Sequence, residues 1–109
     1  MKIFVYGTLK KGFYNHSCLG NNCKFLGNKK ILGYTLHDTG KGYPAAVETK
    51  NKFITGELYD ISPTQYKSIK AMELGAGYEE KTKNDIKFFI YPNSRIDKLY
   101  HAPAIGEKW

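Results

Sequence analysis

An α+β fold, with mostly antiparallel strands able to curl toward a small barrel, is what this sequence predicts. Three observations carry that reading. Short apolar runs are punctuated by Gly, Asn and Asp, one segment carries helix signals at both ends, and aromatics make up 15% of the chain. Nine tyrosines and six phenylalanines suit a β-rich core, with some tyrosine hydroxyls left to line a cleft.

Residues 2–6 read as a buried strand, Lys2-Ile3-Phe4-Val5-Tyr6, running into a glycine turn at Gly7. Residues 8–22 are irregular and rich in Gly, Asn and Lys; a loop this long in a small domain points to function or motion. Residues 24–26 and 30–37 read as strands separated by a Gly27-Asn28 turn, and Thr39-Gly40-Lys41-Gly42 as a flexible turn. Residues 45–48 give a short strand and residues 53–60 a longer one. The longer strand places Ile54, Gly56 and Leu58 on one face and Phe53, Thr55, Glu57 and Tyr59 on the other.

The helix comes next. Ser62 suits the N-cap, Pro63 the first helical position, and Gln65 completes a capping box with Ser62. It should run to Glu73 or Leu74 and stop at Gly75 and Gly77. Residues 78–83 and 86–91 read as two strands joined by a tight Asn84-Asp85 turn, and Pro92-Asn93-Ser94 ends the second. The tail from His101 through Ile105 should lie extended on the body, with Trp109 as an anchor.

The chain of 109 residues is read as a single domain, 1–109, large enough for one core. A hydrophobic share of 41% excludes a disordered chain. The N-terminal apolar run Ile3-Phe4-Val5-Tyr6 is too short for a signal peptide or a membrane span, so a cytoplasmic protein without a membrane partner is expected. The net charge is +7, but Arg95 is the single arginine and the lysines are scattered in ones and twos. That pattern describes a solvated surface able to draw in small anions, and no specific nucleic-acid partner is expected. The sequence carries no signal for a particular oligomeric state.

Cys18 and Cys23 read as free thiols, and with His16 they have the wrong spacing for a zinc knuckle, so no metal and no cofactor are expected. His16, His37 and His101 adjoin no nucleophile motif, and no Gly-x-Ser-x-Gly elbow, Walker loop or dinucleotide fingerprint is present.

Glu73 is the candidate catalytic residue. Tyr66, Ile69 and Glu73 stand at i, i+3 and i+7, so a carboxyl falls on the stripe that two apolar side chains turn inward. Burial and the helix C-terminus both disfavour its charge, which suits it to take a proton near neutral pH. The same glutamate could instead bend to solvent or pair with a lysine. Glu57 is the rival carboxylate, on a strand face that is either lumen or, as favoured here, solvent. Tyr6, Gly7, Thr8 and Leu9 form either an ordinary turn or a cradle of unpaired amides for a carboxylate or oxyanion. Tyr43 and Pro44, followed by Ala45 and Ala46, form a second wall with room for a ligand, and Tyr78 could present its hydroxyl there.

Val5-Tyr6-Gly7-Thr8-Leu9-x-x-Gly12, Gly42-Tyr43-Pro44-Ala45-Ala46-Val47 and Gly56-Glu57-Leu58-Tyr59-Asp60-Ile61 occur in that order. They are followed by Ile69-Lys70-Ala71-Met72-Glu73-Leu74-x-x-Gly77-Tyr78 and Ile105-Gly106-Glu107-Lys108-Trp109. The ordered set resembles the blocks of the γ-glutamylcyclotransferase-like, or AIG2-like, family. The resemblance implies a mixed barrel flanked by helices, with the ligand pocket at one mouth. It also implies that Glu73 matches the family's catalytic glutamate. Tyr6, Gly7, Thr8 and Leu9 match its "Tyr-Gly-Thr-Leu" backbone, which binds the γ-glutamyl or pyrrolidone group. Lys70 replaces the family's usual Asp, Leu74 its usual Gly, and Glu80 stands where an Arg often follows the Tyr; these departures bear on substrate choice more than on the base. Glu57 belongs to a structural block.

The activity so implied converts a small-molecule γ-glutamyl amine to 5-oxoproline and a free amine, a transferase- or lyase-type reaction needing no cofactor. The alternatives are a non-catalytic binding or regulatory domain of the same fold and, more distantly, a lysine-rich nucleic-acid binder.

Overall fold

The computed structural model describes residues 1–92 and 104–109. Its strands are β1 (Lys2–Val5), β2 (Lys24–Asp38), β3 (Pro44–Asp60), β4 (Glu79–Lys83), β5 (Ile86–Ile90) and β6 (Ala104–Gly106), with one helix, α1 (Pro63–Gly75). They form one mixed sheet in the order β4-β5-β1-β3-β2-β6, in which β1 and β5 are parallel and the other pairs antiparallel. The α+β class is as expected. The closed barrel is not formed: among the described residues β4 and β6 are edges that do not pair with each other. The sheet nevertheless curls, because the Tyr91 amide, just past β5, donates to the Ala46 carbonyl in the first part of β3 at 2.8 Å.

β2 and β3 make one long hairpin rather than four short strands. Gly27-Asn28 is not a turn but a bulge, with the register stepping between Phe25 and Gly27 and Gly27 at φ 125°. A second irregularity sets Gly33, at φ 100°, opposite residues 49–52, where Asn51 is left-handed at φ 65°. Bulges add twist and bend without breaking the ladder, so the strands continue through a corner. The short hairpin is as expected: Asn84 and Asp85 both have positive φ, as a two-residue primed turn requires, and Lys83 pairs with Ile86.

Both faces of the sheet are covered, which is why β1 reads as a continuous apolar run. One face packs Ile3, Val5, Tyr59 and Phe89 under Leu9 and Leu19 of the loop and Tyr66 and Ile69 of α1. The other joins Phe4 of β1 and Tyr6 just past it with Ile31 and Leu36 of β2, Ile54 of β3 and Phe88 of β5, and Trp109 packs against them. That second cluster is where Trp109 anchors. Of the tail, residues 101–103 lie outside the described part, and β6 pairs with β2. Gly56 marks where β1 and β3 come closest: a Cβ there would lie 2.3 Å from the Val5 carbonyl oxygen.

α1 begins as expected at Ser62, whose Oγ accepts from the Gln65 amide at 3.1 Å. Only that half of the capping box forms among the described residues, because the Gln65 side chain lies against Gly20. The buried Tyr66 and Ile69 hold the helix on the sheet; each buried side chain of this size stabilises by about 1.5–3 kcal/mol. No helix among the described residues is long and apolar enough to cross a membrane.

Candidate active site

The loop after β1 is held by its carbonyls. Gly7 O accepts from the Lys10 amide at 3.0 Å and Thr8 O from the Asn15 amide at 3.0 Å. Leu9 O accepts from His16 Nδ1 at 2.9 Å. A short 3-10 turn, His16–Leu19, carries the last of these contacts, inside a segment whose sequence gave no helix signal. With the carbonyl sides taken, the amides of Gly7, Thr8 and Leu9 have no protein acceptor among the described residues. The Asn15 side-chain amide donates to Thr8 Oγ1 at 3.0 Å, which leaves the threonine hydroxyl its own proton to donate. Gly7 is required for space rather than for its φ, since a Cβ there would come within 2.8 Å of the Pro44 ring.

Facing this turn is the C-terminal end of α1. Gly77, at φ 92°, lets the chain reverse. The Gly77 amide donates to Leu74 O and the Tyr78 amide to Glu73 O, each at 3.0 Å. This is a Schellman closure, and it ties Tyr78 to the last inward-facing residue of the helix. That residue is Glu73. Its carboxyl is partly buried, has no hydrogen-bond partner among the described residues, and is pushed up by burial to about 7. Without a cation or a donor, desolvation alone sets the shift.

The two elements enclose a cavity of about 230 Å³. It is lined by the candidate base and every candidate substrate-binding residue from the sequence: Glu73, Tyr6, Gly7, Thr8, Leu9, Tyr43, Pro44 and Tyr78. Tyr14, Asn15, Met72 and Phe89 also line it, and the sequence offered no sign of them beyond the length of the loop. Among the described residues Glu73 is the one Asp, Glu, Lys, Arg or His in the lining. Tyr6 donates its hydroxyl to Phe89 O and Tyr78 donates to Pro44 O, both at 2.7 Å. Burial raises both phenols well above their ordinary value, so they stay neutral and offer only oxygen lone pairs to a ligand. The cavity therefore combines a proton acceptor, main-chain donors and phenolic acceptors.

Glu57 is neither in this cavity nor a free surface charge. Its Oε1 accepts from the Lys11 amide at 2.8 Å and from the Tyr59 hydroxyl at 2.9 Å, binding the loop to β3. Cys18 and Cys23 are free thiols, and no cluster able to hold a metal ion occurs among the described residues. Two of the three departures from the family pattern are partners: Lys70 Nζ lies 3.5 Å from Glu80 Oε1, and Tyr66 donates its hydroxyl to the same carboxylate. Leu74, the third, is exposed. None of the three lines the cavity.

The chain is 37% identical over 71 residues to gamma-L-glutamyl-butirosin B gamma-glutamyl cyclotransferase of Niallia circulans. That match takes in 65% of this chain and 44% of the relative, less than half its length. It is 34% identical over 85 residues to a protein of Methanocaldococcus jannaschii provisionally named a gamma-glutamylcyclotransferase, covering 77% of this chain and 70% of that one. An AIG2-like protein of Mus musculus shares the fold, with a TM-score of 0.80 at 21% identity over 99% of this chain and 86% of that one. The family model described as gamma-glutamyl cyclotransferase, AIG2-like, matches residues 3–104, and with that span nearly the whole chain belongs to this family.

Proposed function

We propose that the chain catalyses an intramolecular acyl transfer on a γ-glutamyl amine, releasing 5-oxoproline and the free amine. One observation carries the reading: a carboxyl poised near 7 and main-chain amides, none with a protein partner among the described residues, line one cavity. The amides of Gly7, Thr8 and Leu9 would bind the substrate's carboxylate or the oxygen of its γ-carbonyl, stabilising charge as it develops. Among the described residues no cation lines the cavity to compete for that role. The oxygens of Tyr6 and Tyr78 would accept N–H bonds from the α-amino group.

Glu73 takes a proton from that amine. The amine nitrogen attacks the γ-carbonyl carbon, the new C–N bond closes a five-membered lactam, and the old C–N bond breaks. Glu73 returns the proton to the departing nitrogen. The nucleophile belongs to the substrate, so no Ser or Cys is needed, and holding the chain folded supplies much of the acceleration. A carboxyl near 7 matches this double duty, because it gives and takes a proton with little penalty near neutral pH.

The family membership supports the reaction type, and the Niallia circulans relative is named for a γ-glutamyl conjugate. A non-catalytic binding domain is the alternative that the departures at Lys70, Leu74 and Glu80 raise, but all three lie outside the cavity lining. The test is a panel of γ-glutamyl amines assayed for 5-oxoproline. Release from at least one supports catalysis; binding of 5-oxoproline with no release from any supports the alternative.

A further inference from the structure

Lys70 stands three residues before Glu73 on the same helix, and residues so spaced are neighbours on the helix surface. A helical side chain leans over the turn that precedes it, so the Glu73 carboxyl leans toward Lys70 rather than away from it. A cation at this position is a ready partner for that acid. It is instead engaged across the helix–strand contact, 3.5 Å from Glu80 at the start of β4. Glu80 is itself fixed by the hydroxyl of Tyr66, a buried residue whose ring stacks on Phe89 of the cavity wall.

We propose that Glu80 is a positioning residue: with Tyr66, it holds the Lys70 ammonium away from Glu73 and so keeps the acid unpaired. The inference rests on Glu73 being the base, and it assigns a task to two positions where this chain departs from its family. Among the described residues, the other titratable groups lining the cavity with Glu73 are Tyr6 just after β1, Tyr14 from the loop, Tyr43 before β3 and Tyr78 after the helix. None is a cation. With the hydroxyl bond first among the causes, Glu80 is held below the usual carboxylate range, so it remains charged wherever Glu73 titrates.

The experiment is a carbon-13 NMR titration of the Glu73 carboxyl in the native protein and in Glu80→Gln, Lys70→Met and the double variant. Glu80→Gln should lower the Glu73 midpoint by about one pH unit, the scale of a new opposite charge nearby. Lys70→Met alone should leave it in place, and the double variant should return it to the native value. An unchanged midpoint in Glu80→Gln overturns the proposal. So does a double variant as low as Glu80→Gln, which would trace the effect to the lost Glu80 charge rather than to a released lysine. If the glutamine variant does not fold, Glu80→Thr, suited to a strand, takes its place with the same expectations. The titration needs no substrate. A protein that releases no 5-oxoproline would defeat the proposed reaction while leaving this result to stand or fall alone.

Discussion

Two cavities of similar size lie on either side of the loop that follows β1, about 230 Å³ at Glu73 and about 260 Å³ at Glu57. Each is lined by one carboxylate, and size does not separate them. The second also has Lys10 and Lys108 in its lining, whereas among the described residues Glu73 is the one charged side chain around the first. Engagement separates them further. Around the second cavity, Glu57 already accepts two hydrogen bonds, and the buried Lys10 donates to the backbone oxygen of Trp109 at 3.0 Å. Around the first, the acid and the facing amides have no protein partners among the described residues. A group already satisfied by the fold holds structure together, whereas a desolvated group left without a partner has interaction free energy to give a ligand.

The contrast breaks if the two carboxylates behave alike when altered. Glu73→Gln should lower kcat by about 10²–10⁴-fold, the usual contribution of a general acid–base group. Binding of the γ-glutamyl amine, measured by calorimetry, should change only a few-fold. Retained release of 5-oxoproline would remove Glu73 from the chemistry. Gly56→Ala, in the wall of the second cavity, should act on stability instead. Its new Cβ would sit 2.3 Å from the Val5 carbonyl oxygen, a clash with backbone that costs about 3 kcal/mol in urea unfolding.

The pH dependence of stability sharpens the same comparison. Glu73 is raised from 4.5 to about 7 in the folded chain. Between those values the native state binds a proton that the unfolded state has lost, so stability falls as pH rises through about 7. The loss from this one group is about 2–3 kcal/mol. Urea titrations at pH 4.5 and pH 8 should show it, and Glu73→Gln should remove that component and be the more stable protein above neutrality. Smallest is Glu57→Gln, which keeps an acceptor oxygen but weakens two charge-assisted bonds, at about 1 kcal/mol. It should raise KM several-fold by loosening the loop while leaving the pH profile of kcat/KM in place. A fall in kcat as deep as that of Glu73→Gln would dissolve the distinction.

Glu73 was legible because helix periodicity is local: Tyr66 and Ile69 define the inward stripe on which it lies. The same holds for the N-cap at Ser62, the glycine closure at Gly77 and the primed turn at Asn84-Asp85, each written in a few adjacent residues. What stayed hidden depends on distant pairing. Gly27-Asn28 looks like a turn, but fifteen residues of β2 run through it because β3 continues alongside. Tyr14 and Asn15 reach the cavity only because the loop folds back on Thr8 and on Gly42, where the Tyr14 hydroxyl donates at 3.3 Å. Gly7 is conspicuous in sequence, yet the neighbour that demands it is Pro44, thirty-seven residues away in the chain. Lys70 and Glu80 looked like two separate anomalies until the helix and β4 brought them together.

Because two backbone bonds clamp the chain reversal at Gly77, the acid is secured where helices ordinarily fray. The residues just beyond it, Leu74, Gly75 and Ala76, are exposed. A substitution at Ala76, which is exposed and lines the cavity, would therefore reshape the rim without disturbing the closure that holds Glu73. A scaffold of this kind can change its clientele at the doorway while the chemistry behind it stays put.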